Sequence, residues 1–184
     1  LAYVTAYLKA HYPVEFMAAL LTCETGNTDK IVQYVNECRD RAIAVLPPDV
    51  QTGFWHFSPA GEAMRFGLGA IKNVGRNTVD ALLAARQDAG RFESIFDFCE
   101  RVDPHALNKR VLESLIKAGA MDGWGVSRSQ LLAVIDRAME AGQKLQRTRE
   151  SGQHDLFGAA GQPAPEPAPL PDVPEWPEEQ KLTG

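Results

Sequence analysis

The chain has only three cysteines, Cys23, Cys38 and Cys99, and no two of them form a Cys-x-x-Cys pair. An odd number at such wide spacing argues against a disulfide framework and fits reduced thiols in a cytosolic protein. The histidines His11, His56, His105 and His154 do not fall beside the cysteines at ligand spacing, so no metal site is expected. No apolar run approaches the roughly 20 residues that cross a bilayer, and no membrane partner is expected. A Gly-rich phosphate loop and a recognisable catalytic triad are missing too, which removes the common signatures of a self-sufficient enzyme. The chain starts at Leu1-Ala2-Tyr3-Val4, without an initiator Met or a basic leader, and stops at Lys181-Leu182-Thr183-Gly184. Both ends are expected to be cuts within a longer protein.

There is also little net charge. The formal value is -5, and Glu166, Asp172, Glu175, Glu178 and Glu179 against Lys181 place -4 of it in residues 158–184. The rest is close to neutral. Such a body can still bind nucleic acid where its positive groups converge on one face.

What is present is mostly helical patterning, in a length that suits one ordinary domain or two small ones. Residues 1–45 read as helices. Pro13 suits a first helical position, Gly26-Asn27 a turn, and Thr28 a cap for a helix carrying Ile31, Val32, Val35 and Cys38. Two prolines in Leu46-Pro47-Pro48-Asp49-Val50 end the helical run. Extended pieces are expected near 44–66, with Phe54-Trp55-His56-Phe57 and Met64-Arg65-Phe66 as a small hairpin. Residues 66–147 return to helix. The expected caps are Asn77 or Thr78, Ser94 with Asp97, Asp103 before Pro104, and Ser127 with Gln130. Residues 148–177 read as a disordered linker, because seven of the twelve prolines lie between 163 and 177.

Two patterns carry functional content. In Leu68-Gly69-Ala70-Ile71-Lys72-Asn73-Val74-Gly75-Arg76-Asn77-Thr78, two apolar residues three apart precede a tight turn and a second amphipathic helix. That is the pattern of a helix-hairpin-helix element. Its turn needs positive φ, which Asn tolerates better than most residues. The second helix then offers unpaired N–H groups and its positive dipole end to a phosphate, with Lys72 and Arg76 as added charges. Such contacts grip a backbone without reading sequence. Leu112-x-x-Leu115-x-Lys117-Ala118-Gly119 repeats the spacing 44 residues on, which places Lys117 and Gly119 as candidate contacts of a second, degenerate unit. A tight pair of helices that merely fills a core would satisfy the same pattern.

The second pattern is Gln153-His154-Asp155-Leu156-Phe157, between a polar helix end and the Pro-rich stretch. An apolar pair in a flexible segment commonly serves a partner. These residues fit the bacterial clamp-binding pattern Gln-x-Asp-Leu-Phe. Leu156 and Phe157 would fill an apolar pocket, with Gln153 in a second one and Asp155 completing the motif. The alternative is that Leu156 and Phe157 fold back onto the last helix.

Taken in order, the markers resemble the alpha subunits of bacterial DNA polymerase III, a C-family replicative polymerase. The run Tyr7-Leu8-Lys9-Ala10-His11-Tyr12-Pro13-Val14-Glu15-Phe16-Met17 resembles their fingers. Leu46-Pro47-Pro48-Asp49-Val50, Phe66-Gly67-Leu68-Gly69-Ala70-Ile71-Lys72, Phe96-Asp97-Phe98-Cys99-Glu100-Arg101-Val102-Asp103 and Leu107 to Asp122 resemble the markers that follow, up to the clamp motif. The resemblance implies a mainly α fold. It divides the chain into the end of the fingers (1–60), a tandem helix-hairpin-helix domain (61–147), a linker with the clamp motif (148–177) and the start of an OB-fold (178–184).

The resemblance further implies cytoplasmic replication, with duplex primer-template DNA, the sliding clamp and other polymerase holoenzyme subunits as partners. Polymerisation uses two Mg2+ ions held by palm aspartates, expected before Leu1, so no residue here is expected to be catalytic and no cofactor to be held. The DNA-contact residues carried over are Lys72, Asn73, Val74, Gly75, Arg76, Asn77 and Thr78, then Lys117 and Gly119. Those for the clamp are Gln153, Asp155, Leu156 and Phe157. A structural adaptor that binds only the clamp is the competing reading.

Overall fold

The structure, a computed structural model, describes residues 2–150 and Pro171. It is mainly α, with one small sheet. Three helices come first: α1 (Ala2–His11), α2 (Pro13–Cys23) and α3 (Thr28–Asp40). Pro13 opens α2, where a missing N–H costs nothing. The α3 cap is Asn27 rather than Thr28: its side chain accepts from the Lys30 amide at 3.2 Å, which leaves Thr28 inside the first turn. Met17, Ala18 and Leu21 of α2 pack with Cys38, Ile43, Phe57 and Met64 in a small core. α1 buries nothing, and a Lys9–Glu37 ion pair of 2.9 Å ties it to α3.

The sheet consists of β1 (Val45–Leu46), β2 (Ser58–Ala60) and β3 (Ala63–Arg65), with β3 in the middle. β1 runs parallel to β3 and β2 antiparallel to it. Pro59 is tolerated because β2 is an edge strand. The hairpin partner of Met64-Arg65 is therefore Ser58-Pro59, and the expected Phe54–Phe57 strand does not form. Those four residues instead serve the next element. Leu68 donates its amide to the Phe54 carbonyl at 2.9 Å and Gly69 to that of Trp55 at 3.0 Å. With these amides taken, residues 68–70 make only one 3₁₀ turn where a first α-helix was expected.

The larger core lies under α4 (Arg76–Ala89), α5 (Ile95–Arg101), α6 (Lys109–Lys117) and α7 (Arg128–Glu150). It is built from Leu68, Val79, Leu82, Ile95, Phe98, Leu112, Leu115, Ile116, Leu131 and Ile135 with their neighbours. The expected caps at Ser94 and Asp103 are observed, as is the reciprocal pair of Ser127 and Gln130. Asn77 and Thr78 do not cap: α4 begins at Arg76, and Gly75 holds the cap position. Buried Gln51 satisfies both ends of its amide on the Phe92 backbone, at 2.6 and 2.9 Å. Val50 donates to the Ala120 carbonyl at 2.9 Å, so the β segment is tied to the chain after α6. No helix among the described residues is long and apolar enough to cross a membrane.

Candidate nucleic-acid interface

The turn Ile71–Gly75 joins the 3₁₀ turn to α4, and Asn73 carries its reversal with φ of +68°. An L-residue pays for that conformation, and Asn pays least after Gly. The Asn73 side chain also anchors the turn, because Nδ2 donates to Ser114 Oγ on α6 at 3.0 Å. Ser114 in turn donates to the Arg110 carbonyl at 2.8 Å. Asn73 thus acts as a strut between the two units. Ile71 and Val74, on either side, are buried and hold the turn on the core.

Gly75 sits at φ -87° and ψ 163°, an extended conformation open to any residue, and contributes no side-chain cap. No acidic residue stands in the first turn of α4. The amides of Gly75, Arg76, Asn77 and Thr78 therefore meet no acceptor among the described residues. The contrast lies in α3, α5, α6 and α7, whose caps Asn27, Ser94, Asn108 and Ser127 all fill this role. An uncapped N-terminus concentrates about half a positive charge on outward-pointing N–H groups.

Lys72, Gly75, Arg76 and Asn77 are exposed around this end of α4. Arg76 is held from two sides. Its Nε donates to both carboxylate oxygens of Asp80 at 3.1 Å, and its guanidinium lies 5.2 Å from the centre of the Trp55 ring. Trp55 in turn lies against Gly69, where any side chain would run into the indole at 2.6 Å. Thr78 faces inward, and its hydroxyl donates to the Ala106 carbonyl at 2.7 Å. What Thr78 and Val74 can offer a ligand is backbone only.

The second unit does not repeat this arrangement. α6 ends in a Schellman motif: Gly119, at φ +79°, donates to Ile116 at 2.9 Å, and Ala120 donates to Leu115 at 2.9 Å. Gly119 is buried, its amide is used, and a Cβ there would meet the Arg128 guanidinium at 2.5 Å. Placing Gly119 as a phosphate contact is thus corrected to a helix terminator. Lys117 stays half-exposed on α6, and its carbonyl accepts from Arg128 at 3.0 Å. Gln153, Asp155, Leu156 and Phe157 lie outside the described residues, as do 178–184. Sequence reasoning missed Trp55 and Ser114 as supports of the site, and no local pattern marks either.

Among the described residues no group of three His, Cys, Asp or Glu could hold a metal ion. The arrangement offers hydrogen-bond donors and positive charge, with no nucleophile or base placed among them.

An uncapped helix after a tight turn, braced by a second hairpin-like unit, defines a helix-hairpin-helix protein. The family model described as the helix-hairpin-helix motif matches residues 42–131. The chain is 43% identical over 186 residues to the DNA polymerase III subunit alpha of Vibrio cholerae. It is 46% identical over 188 residues to that of Saccharopolyspora erythraea and 40% over 186 to that of Escherichia coli. These alignments take in 99–100% of this chain and 16% of each relative. The chain belongs to the family of DNA polymerase III alpha subunits, and it spans about a sixth of the length of the curated relatives it matches.

Proposed function

We propose that this chain supplies the duplex-holding and clamp-tethering part of a replicative DNA polymerase. The observation that carries the first half is the uncapped N-terminus of α4, flanked by Lys72 and Arg76. Its free amides suit the non-bridging oxygens of a backbone phosphate, and the two cations add attraction that does not depend on base identity. The primer-template duplex is the natural ligand for such a grip in a polymerase. Nucleotide addition itself, with its Mg2+ ions, belongs to residues outside this chain. What these residues do is keep the duplex in place between additions.

The clamp half of the reading rests on Gln153-His154-Asp155-Leu156-Phe157 and its place in the order of family markers. A short peptide on a Pro-rich tether raises the local concentration of polymerase at the primer end without a large rigid interface. Other polymerase subunits would be reached through the whole protein, and work in the bacterial cytoplasm goes with this role.

The test is binding of the 184-residue chain to labelled duplex DNA across a salt series, beside a Lys72→Ala/Arg76→Ala variant. Sequence-independent binding that fades with salt is expected, with a salt slope about 1 to 2 units shallower in the variant. Equal binding by both proteins would move the reading to an adaptor that holds only the clamp. For the clamp half, Leu156→Ala/Phe157→Ala is expected to abolish capture by immobilised sliding clamp and leave DNA binding unchanged.

A further inference from the structure

Between the Ile71–Asn73 turn and α6 lies a groove of about 630 Å3. Lys72, Arg110 and Lys117 stand around it, and Phe66, Ala70 and Ala118 give it an apolar floor. No carboxylate lines it. Glu113, on α6 between Arg110 and Lys117, pairs with neither. This is unusual for the molecule: Lys9, Arg41, Arg65, Arg76, Arg101, Lys109 and Arg128 each have a carboxylate partner within 4 Å. Among the described residues, Lys72, Arg110 and Lys117 have none. Three like charges gathered around one groove repel one another, and an anion between them relieves that repulsion.

We propose that this groove is a second phosphate site, which takes a backbone phosphate of the same DNA that the α4 N-terminus holds. The proposal rests on the DNA-binding reading above. Charge selects the ligand class. Continuity selects a polyphosphodiester within it, because Lys72 belongs both to the turn before α4 and to the groove. A chain with repeated phosphates reaches both places, and its deoxyribose meets the apolar floor. A lone carboxylate or a free phosphate would satisfy only one place. The groove also explains how the second unit contributes after its turn amides are spent on the Schellman motif: its charge comes from side chains on α6. Arg110 is the new residue in this assignment. It lies in the first turn of α6, exposed, with no partner for its guanidinium among the described residues.

The experiment uses the 184-residue chain, a labelled duplex, and salt between 50 and 200 mM. Arg110→Ala/Lys117→Ala removes only groove charges, and Arg76→Ala only the α4 side. The groove variant is expected to bind at least 10-fold more weakly at 100 mM salt, with a slope reduced by about 1 to 2 units. Arg110→Lys/Lys117→Arg keeps both charges and is expected to retain the slope. Melting of each variant checks its fold, and Arg110→Gln/Lys117→Gln stands in where the alanine pair unfolds. A groove variant with unchanged affinity and slope, beside a weakened Arg76→Ala, overturns the groove and leaves the α4 reading standing. The reverse pattern sinks the α4 reading and keeps the groove. No binding by the unaltered chain at 50 mM overturns both. Competition by a glutamate-rich peptide as strong as that of unlabelled duplex at equal charge would make the groove a protein site and end the phosphate assignment.

Discussion

Replacing Gly75 by aspartate is expected to make this protein more stable and a worse DNA binder at once. The backbone at Gly75 is extended, so aspartate fits without strain, and a Cβ added there meets nothing within 4 Å. Its carboxylate would accept from the Asn77 or Thr78 amide. The gain from a better cap than Gly is a few tenths of a kcal/mol, and the helix dipole adds about 0.3–1. Together these give about 0.5–1 kcal/mol, or a melting temperature about 1–4 °C higher for a chain of this size. The same carboxylate fills the site a phosphate would occupy. Losing one charge-assisted hydrogen-bond set costs about 1.5–3 kcal/mol, or about 10–100-fold in affinity. Calorimetry and a DNA titration on the same preparation read both effects. Gly75→Ser is the control, since it caps without charge. A stabilised Gly75→Asp protein with unchanged DNA affinity would refute the idea that the α4 amides hold phosphate. A destabilised one would refute the account of the cap.

Three further outcomes are expected. Asn73→Ala forces alanine into positive φ and cuts the bond to Ser114, a loss of about 1–2 kcal/mol in urea denaturation. Asn73→Gly relieves the φ it unties, and is expected within about 0.5 kcal/mol of the unaltered protein. Gly69→Ala drives a methyl into the Trp55 indole, where the closest approach would be 2.6 Å. A destabilisation of about 1–3 kcal/mol is expected, with a shifted tryptophan emission as Trp55 leaves Arg76. Finally, Cys23 is exposed while Cys38 and Cys99 are buried, so a thiol reagent at pH 8 is expected to label one site rapidly and the others only on unfolding. Burial, helped by Glu100, pushes the Cys99 thiol up to about 12. Above pH 9 the unfolded chain ionises this thiol and the folded one does not. Stability is therefore lost as pH rises through that range, and Cys99→Ser should flatten the loss.

Much of this fold was legible because its signals are local. Pro13, Ser94, Asp103 and the Ser127–Gln130 pair act within one turn of where they stand. The positive φ at Asn73 follows from the same kind of local chemistry. Partners distant in sequence were not legible. The helix before the turn shrinks to a 3₁₀ turn because the Phe54 and Trp55 carbonyls take the amides of Leu68 and Gly69. The strand that pairs with β3 is Ser58–Ala60 for a related reason: Phe57 is drawn into the small core, and Phe54 and Trp55 turn toward Arg86 and Arg76. In both cases apolar alternation pointed to a strand where a tertiary contact ruled.

The repeat at an offset of 44 residues shows how far spacing alone reaches. Gly75 and Gly119 are equivalent in the pattern and opposite in use. Gly75 has φ below zero and precedes a helix; Gly119 has φ above zero and follows one. The first leaves amides open, and the second closes a helix with its own. Asn73 and Lys117 part in the same way. Asn73 spends its side chain on bracing one unit against the other. Lys117 keeps its ammonium group without an ion-pair partner at the groove between them. An apolar pair three residues apart tells the chain to turn, and both units obey it. Which backbone groups stay free after the turn depends on whether the helix there is starting or ending. Only the starting helix aims N–H groups outward, so the phosphate grip falls on the first unit, and any share of the second must be carried by charge.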